Sequence, residues 1–179
     1  SGVAAVSFGS DPSVELIRQG ETQGVLYDSL TQAIQDAADY PGCTVKLLRD
    51  LTLTERIDIQ KRSFAIDLNG KCMKIQYSGN LTSGFFVIFY GASVTWKDSA
   101  GNGKVTGNIA GMPLFGVNGT LVIQGGSFEN IAGNIGGKDS YGTIRVEGGE
   151  FYNDITIVSQ YDYAESLSGG TFHGTVNSG

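Results

Sequence analysis

A chain of 179 residues with 40% hydrophobic content is enough for one domain with its own core. A net charge of −6, a pI of about 4.6 and no Lys/Arg cluster set it against phosphate-backbone binding, so nucleic acid is not an expected partner. No segment reaches the ~18 consecutive apolar residues of a membrane helix, so no membrane insertion is expected.

Val14–Ile17 has the pattern of a short strand. Beyond Gln23 the pattern changes. Asp28 or Ser29 can cap a helix, and Leu30, Ala33, Ile34, Ala37 and Ala38 follow on one helical stripe. Tyr40-Pro41-Gly42 stops it. After Gly42 the period is two: Val45/Leu47, Leu51/Leu53, Ile57/Ile59 and Ile66/Leu68 alternate, with turn residues between the pairs. Glycine is in excess, 27 residues or about 15% against a usual ~7%, while proline numbers only 3. Much glycine among β-branched and aromatic residues predicts many short strands joined by tight turns.

A repeat emerges in the C-terminal half. Gly119-Thr-Leu-Val-Ile-Gln-Gly-Gly-Ser-Phe128 returns as Gly142-Thr-Ile-Arg-Val-Glu-Gly-Gly-Glu-Phe151, and more weakly as Ala164–Phe172. The core residues before each glycine pair are Ile123, Val146 and Leu167, at steps of 23 and 21. Trp96, Leu68 and Leu47 take the same role earlier, at steps of 27, 28 and 21. This period is too short for a propeller blade of ~40–45 residues and suits one coil of a β-solenoid. About six coils at a strand spacing of about 4.8 Å would make a stub about 29 Å long. Phe128, Phe151 and Phe172 are predicted to form an internal ladder, with Met73 at the matching offset in an earlier coil. The middle coils are expected to bulge around Gly79–Gly84 and Ser99–Gly107.

The expected fold is therefore all-β: a right-handed parallel β-helix of about six coils with an N-terminal capping α-helix. Residues 1–42 would hold the first strand and capping helix, and 43–179 the β-helix. The helix over 28–39 would cover the exposed end of the first coil.

Four motifs carry a family resemblance. They are Tyr27–Ala38, Thr44-Val-Lys-Leu-Leu-Arg-Asp50, Ile66-Asp-Leu-Asn-Gly-Lys71, and Gly125-Gly-Ser-Phe128 with its copies. Together they resemble the right-handed parallel β-helix (pectin-lyase-like) superfamily, and more closely the repeat regions of secreted and surface proteins of Gram-positive and gut bacteria. The resemblance covers about residues 25–176. It implies an extracellular or cell-surface location. It implies little about activity, because the shared residues make turns and core.

The superfamily includes polysaccharide lyases and glycosidases, which need paired carboxylates or a calcium site with a base. Aligning the outward columns on the core residues gives Asp67, Thr95, Val122, Arg145, Ser166; then Asn69, Lys97, Gln124, Glu147, Ser168; then Ser127, Glu150, Thr171. No column holds two carboxylates side by side. Arg145, Glu147 and Glu150 suit a solvated face with a surface ion pair, and His173 should point outward without a catalytic role. No catalytic residue is assigned. Cys43, Cys72 and His173 lack metal-ligand spacing, so no metal or cofactor is expected. Either the thiols are buried and free, or they form a disulfide stabilising by ~3 kcal/mol. The sequons at Asn80 and Asn118 carry little weight for a bacterial chain. Phe85–Tyr90 reads as a buried strand with its flanks.

The expected function is a non-catalytic extracellular structural or binding module: a stalk, an adhesin segment or a carbohydrate-binding region. Glycans or a host or cell-surface protein are its expected partners. Tyr152, Tyr161, Asp162 and Tyr163 are the candidate ligand-binding residues, since exposed tyrosines beside a carboxylate suit sugar rings. The alternative is a fragment of a carbohydrate-active β-helix enzyme. A trimeric spike would need an apolar outer face, which the polar columns disfavour. The sequence has no obvious C-terminal cap, which predicts end-to-end self-association or further C-terminal domains.

Overall fold

A computed structural model describes residues 11–79, 83–109, 113–131, 135–138, 142–157 and 166–178. The protein is mostly β, with one short helix and predominantly parallel sheets. β1 (Val14–Ile17) and β2 (Val25–Tyr27) precede α1 (Leu30–Asp36), which tightens into a 3-10 turn at Ala37–Asp39. Then come β3 (Thr44–Leu47), β4 (Leu51–Leu53), β5 (Ile57–Ile59), β6 (Ser63–Asp67), β7 (Cys72–Gln76) and β8 (Phe86–Ile88). The middle holds β9 (Ser93–Lys97), β10 (Lys104–Asn108), β11 (Phe115–Val117), β12 (Thr120–Ile123), β13 (Ser127–Ile131) and β14 (Gly136–Lys138). The last strands are β15 (Thr143–Val146), β16 (Glu150–Phe151), β17 (Ile155–Ile157), β18 (Thr171–Phe172) and β19 (Val176–Ser178).

These strands form three main sheets. The first runs β15-β12-β9-β6-β3-β1-β2, the second β18-β16-β13-β10-β7-β4 and the third β14-β11-β8-β5; β17 and β19 pair separately. Every pairing is parallel except those of β1, which lies antiparallel to β2 and β3. From β3 to β14 the chain visits the first, second and third sheets in that order four times. Val14, Leu16, Val45, Leu47, Ile66 and Val94 are among the residues the first sheet buries in one continuous core.

The helix begins where the sequence places its cap. The Ser29 hydroxyl accepts the Gln32 N–H at 3.2 Å, satisfying one of the free donors of the first turn. Leu30, Ala33, Ile34 and Ala37 are buried as their spacing predicts; Ala38 is exposed. Arg62 finishes the other end, donating to the carbonyls of Ile34 and Gln35.

The ladders in the late repeats match the sequence reading. Leu51, Met73, Val105, Phe128, Phe151 and Phe172 lie in register, as do Trp96, Ile123, Val146 and Leu167. Further back the register departs from the expectation. Trp96 stands beside Ile66, and Ile66 beside Val45, so Leu68 and Leu47 lie two residues beyond the ladder. The cause is corner length: Phe128 follows Ile123 by five positions, but Met73 follows Ile66 by seven. Leu68 remains fully buried and fills the corner under Gly126, whose Cβ, if it had one, would lie 2.8 Å from the Leu68 Cδ1. The expected bulge at Ser99–Gly107 is likewise shorter, because β10 starts at Lys104.

The two glycines of each repeated pair serve different purposes. A Cβ on Gly148 would lie 2.2 Å from the Gln124 carbonyl oxygen, so the first glycine permits close approach to the preceding strand's chain. Gly126, Gly149 and Gly170 have φ of 96°, 95° and 95°, so the second makes the turn.

Aspartates bind the corners together. The Asp67 carboxylate accepts N–H from Asn69 and Ser99, both at 2.9 Å. The two oxygens of Asp98 take the amides of Gly70 and Gly103, both at 2.7 Å. Asp50 takes the Cys72 amide and Asp154 the Thr175 amide, each at 2.8 Å. Carboxylates that accept backbone N–H satisfy donors the sheets leave unpaired at their ends.

Candidate functional site

The outer face of the second sheet holds the main candidate. Strands β10, β13, β16 and β18 stack in parallel, and an open groove of about 610 Å³ crosses them. Its polar side chains include Asp98, Lys104, Ser127, Glu129, Glu150 and Tyr152; corner glycines form much of the rest. Two outward columns cross it. In one, Lys104, Ser127, Glu150 and Thr171 lie in register. In the other, Glu129, Tyr152 and His173 each follow a phenylalanine of the inner ladder. Because strand side chains alternate, a buried Phe on each strand sends both its neighbours outward.

The polar contacts converge on Glu150. One of its oxygens accepts the Tyr152 hydroxyl at 2.8 Å and the His173 Nε2 at 2.9 Å. A carboxylate only accepts, so Nε2 carries the proton. The Tyr152 and His173 rings stack at 4.3 Å with planes 5° apart. The His173 bond, then that of Tyr152, holds the Glu150 carboxyl below its ordinary range. The same contact, with some burial, pushes the Tyr152 phenol up. Near neutral pH the trio is therefore a carboxylate with two donors, and the phenol keeps its proton. Nearby, Lys104 pairs with Glu129 at 3.6 Å, and Ser127 lies 3.5 Å from the other Glu129 oxygen.

Of the sequence-predicted site residues, Tyr152 lies in this groove; Tyr161, Asp162 and Tyr163 lie outside the described residues. Tyr152 is 46% exposed, yet the imidazole covers one of its faces, so a ligand has at most the other face, the edge and the hydroxyl. His173 points outward as expected, but it is the partner of Tyr152 and Glu150. Sequence reading missed this trio and Glu129. The available signal was the residue after each ladder phenylalanine, a column whose members are Glu129, Tyr152 and His173.

The other candidates separate from the groove. Arg145 pairs with Glu147 at 3.7 Å, and Gln124 donates to Glu147 at 3.1 Å, on the first sheet's outward face. Correcting the register puts Asp67 in the column of Lys97, with Lys46 on its other side; that column still has no adjacent carboxylates. Glu129 and Glu150 lie on neighbouring strands, two positions apart in register. A second pocket of about 350 Å³ lies between α1 and β5. Its arginines are engaged: Arg56 holds Asp58 through two nitrogens, and Arg62 caps the helix.

Cys43 and Cys72 are both free thiols, Cys43 fully buried. Burial pushes both thiols up, and for Cys72 the nearby Asp50 adds to it, so neither is an activated nucleophile. The Asn118 side-chain oxygen is buried without a partner, and Asn80 lies outside the described residues. Phe85, Phe86, Val87 and Ile88 are buried, with Tyr90 exposed at the following turn. Among the described residues no group of three or more His, Cys, Asp or Glu is placed to hold a metal ion. No helix among them is long and apolar enough to cross a membrane. Neither family models, curated proteins nor solved structures provide a match to this chain.

Proposed function

We propose that the chain is a right-handed β-solenoid of about six coils, similar to the pectin-lyase-like superfamily, and serves as a non-catalytic binding module of a bacterial surface or secreted protein. Its ligand is a glycan lying in the groove over β10, β13, β16 and β18. The repeated visit to three sheets in fixed order supports the solenoid reading, and parallel crossovers are overwhelmingly right-handed. One observation carries the binding reading: an open groove across successive strands is lined by hydroxyl, carboxylate and ammonium groups and edged by the Tyr152–His173 pair. An open polar trough suits an extended, hydroxyl-rich chain better than an enclosed small substrate.

The carboxylates Glu129 and Glu150 favour a second reading, a carbohydrate-active enzyme, because both border the groove. A glycosidase acid must keep its proton near working pH. Glu150 is held the other way, as a carboxylate, by His173 and Tyr152, which supports binding over cleavage. A glycan array followed by product analysis tests both. Retained ligand without new reducing ends or unsaturated products is the expected result. Cleaved products would establish the enzyme reading, and no binding at all would leave only a spacer.

A further inference from the structure

The hydrogen-bonding capacity left in the groove is unevenly divided. Tyr152 and His173 both spend their protons on Glu150. Lys104, the only Lys or Arg among the described residues that line the groove, already faces Glu129. Both Asp98 oxygens are taken by the amides of Gly70 and Gly103. The second Glu150 oxygen, the Tyr152 oxygen's lone pairs and the outer side of Glu129 remain as acceptors, while the Asn102 amide and the Thr171 hydroxyl elsewhere in the lining are neutral donors. The charge is equally one-sided: Asp98, Glu129 and Glu150 against Lys104.

We infer that the groove selects saccharides that donate hydrogen bonds and carry positive charge, namely hexosamine chains with free amines, and excludes uronate-bearing or sulfated chains. This rests on the glycan reading above and names the ligand class for the same site. An ammonium at Glu150 forms a charge-assisted hydrogen bond with an oxygen that has no other partner among the described residues. A uronate there would face the Glu150 carboxylate, with Lys104 already paired to Glu129. A neutral N-acetylated chain keeps the hydroxyl donors and loses the charge, so it binds at intermediate strength.

The test titrates a glucosamine hexamer, its N-acetylated counterpart and a galacturonate hexamer into the whole chain at pH 6 and 0.15 M salt. Calorimetry reads affinity, and NMR reads the His173 and Tyr152 ring signals. The expected order is glucosamine, then N-acetylglucosamine, with no galacturonate binding, and shifts centred on those two rings. Glu150→Gln should weaken the glucosamine hexamer about tenfold and leave the acetylated one within about twofold. Glu147→Gln, a carboxylate on another face, should change neither. Glu129→Gln gives a second reading of the groove should Glu150→Gln fail to fold. Equal losses from Glu147→Gln and the groove variants would reduce the effect to general attraction by an acidic protein and overturn the inference. Preferred binding of galacturonate would overturn it while sparing the glycan reading. Failure of all three saccharides would overturn both.

Discussion

Between Phe128 and Phe172 the interior rings lie face to face, 5.0 and 5.1 Å apart with planes 2° and 11° from parallel. Between Tyr77 and Phe128 they meet mostly edge to face. Trp96 lies among them, 5.3 Å from Phe86 at 71° and 5.1 Å from Phe115 at 75°. The late strands stack like residue on like at constant register. The middle strands come from segments of unequal length and lock together through residues from all three sheets. Both are aromatic cores, but only in the second do individual side chains, Trp96 and Phe115, each touch rings of both other sheets. The corners from the first sheet to the second differ too: the middle ones depend on Asp67 and Asp98, whereas the late ones turn on glycine pairs.

If Trp96 couples the sheets, Trp96→Ala is the most damaging change, costing about 3–5 kcal/mol in denaturant unfolding. Its Nε1 is buried without a partner, so Trp96→Phe should recover much of that loss; equal losses for both would mean the indole shape is indispensable. Next in size is Asp98→Ala. It strands the Gly70 and Gly103 amides and should cost about 1–3 kcal/mol, with hydrogen exchange speeding up first at those two amides. A smaller loss, about 1–2 kcal/mol, is expected for Phe172→Ala, because that ring is only half-buried and has one stacking partner. Its effect should stay in β18 and β19; exchange rising equally throughout the middle strands would erase the contrast between the regions.

The mildest effects come from pH. Burial, and then the 2.6 Å hydrogen bond to Asp36, pushes the Tyr27 phenol up to about 12 from 10.0. A raised value means that the fold favours the neutral phenol. Its contribution is complete below pH 10 and is lost as pH rises toward 12. Thermal unfolding across that window should show a steeper alkaline decline for the native chain than for Tyr27→Phe. At the acid end Glu150 has a lowered value, so its contribution is present above the ordinary carboxylate range and fades as pH falls through it. His173→Gln should flatten that acid decline, since His173 is the main cause of the shift.

The sequence resolved unevenly along the same division. The helix, its Ser29 cap and the phenylalanine ladder were readable because each depends on neighbours in sequence or on a repeat of nearly constant length. The register at Leu47 and Leu68 was not. A corner two residues longer moves every strand before it, and nothing local announces the extra residues. The groove lay between these cases. Tyr152 drew notice as an exposed aromatic, but its stacking on His173, 21 residues away, depends on ladder register.

Alternation, glycine placement and repeat spacing by themselves determined that the chain is β-rich, that its late strands stack and which phenylalanines face inward. These follow from backbone geometry, which acts on near neighbours. Only the tertiary structure decided that Trp96 joins the sheets, that Asp67 and Asp98 bind corners across strands, and that Glu150, Tyr152 and His173 form one hydrogen-bonded cluster. Those contacts reach across strands, as from Trp96 to Phe115, Glu150 to His173 and Asp67 to Ser99, and a single residue added or lost in a corner would dissolve them without changing the local pattern on either side.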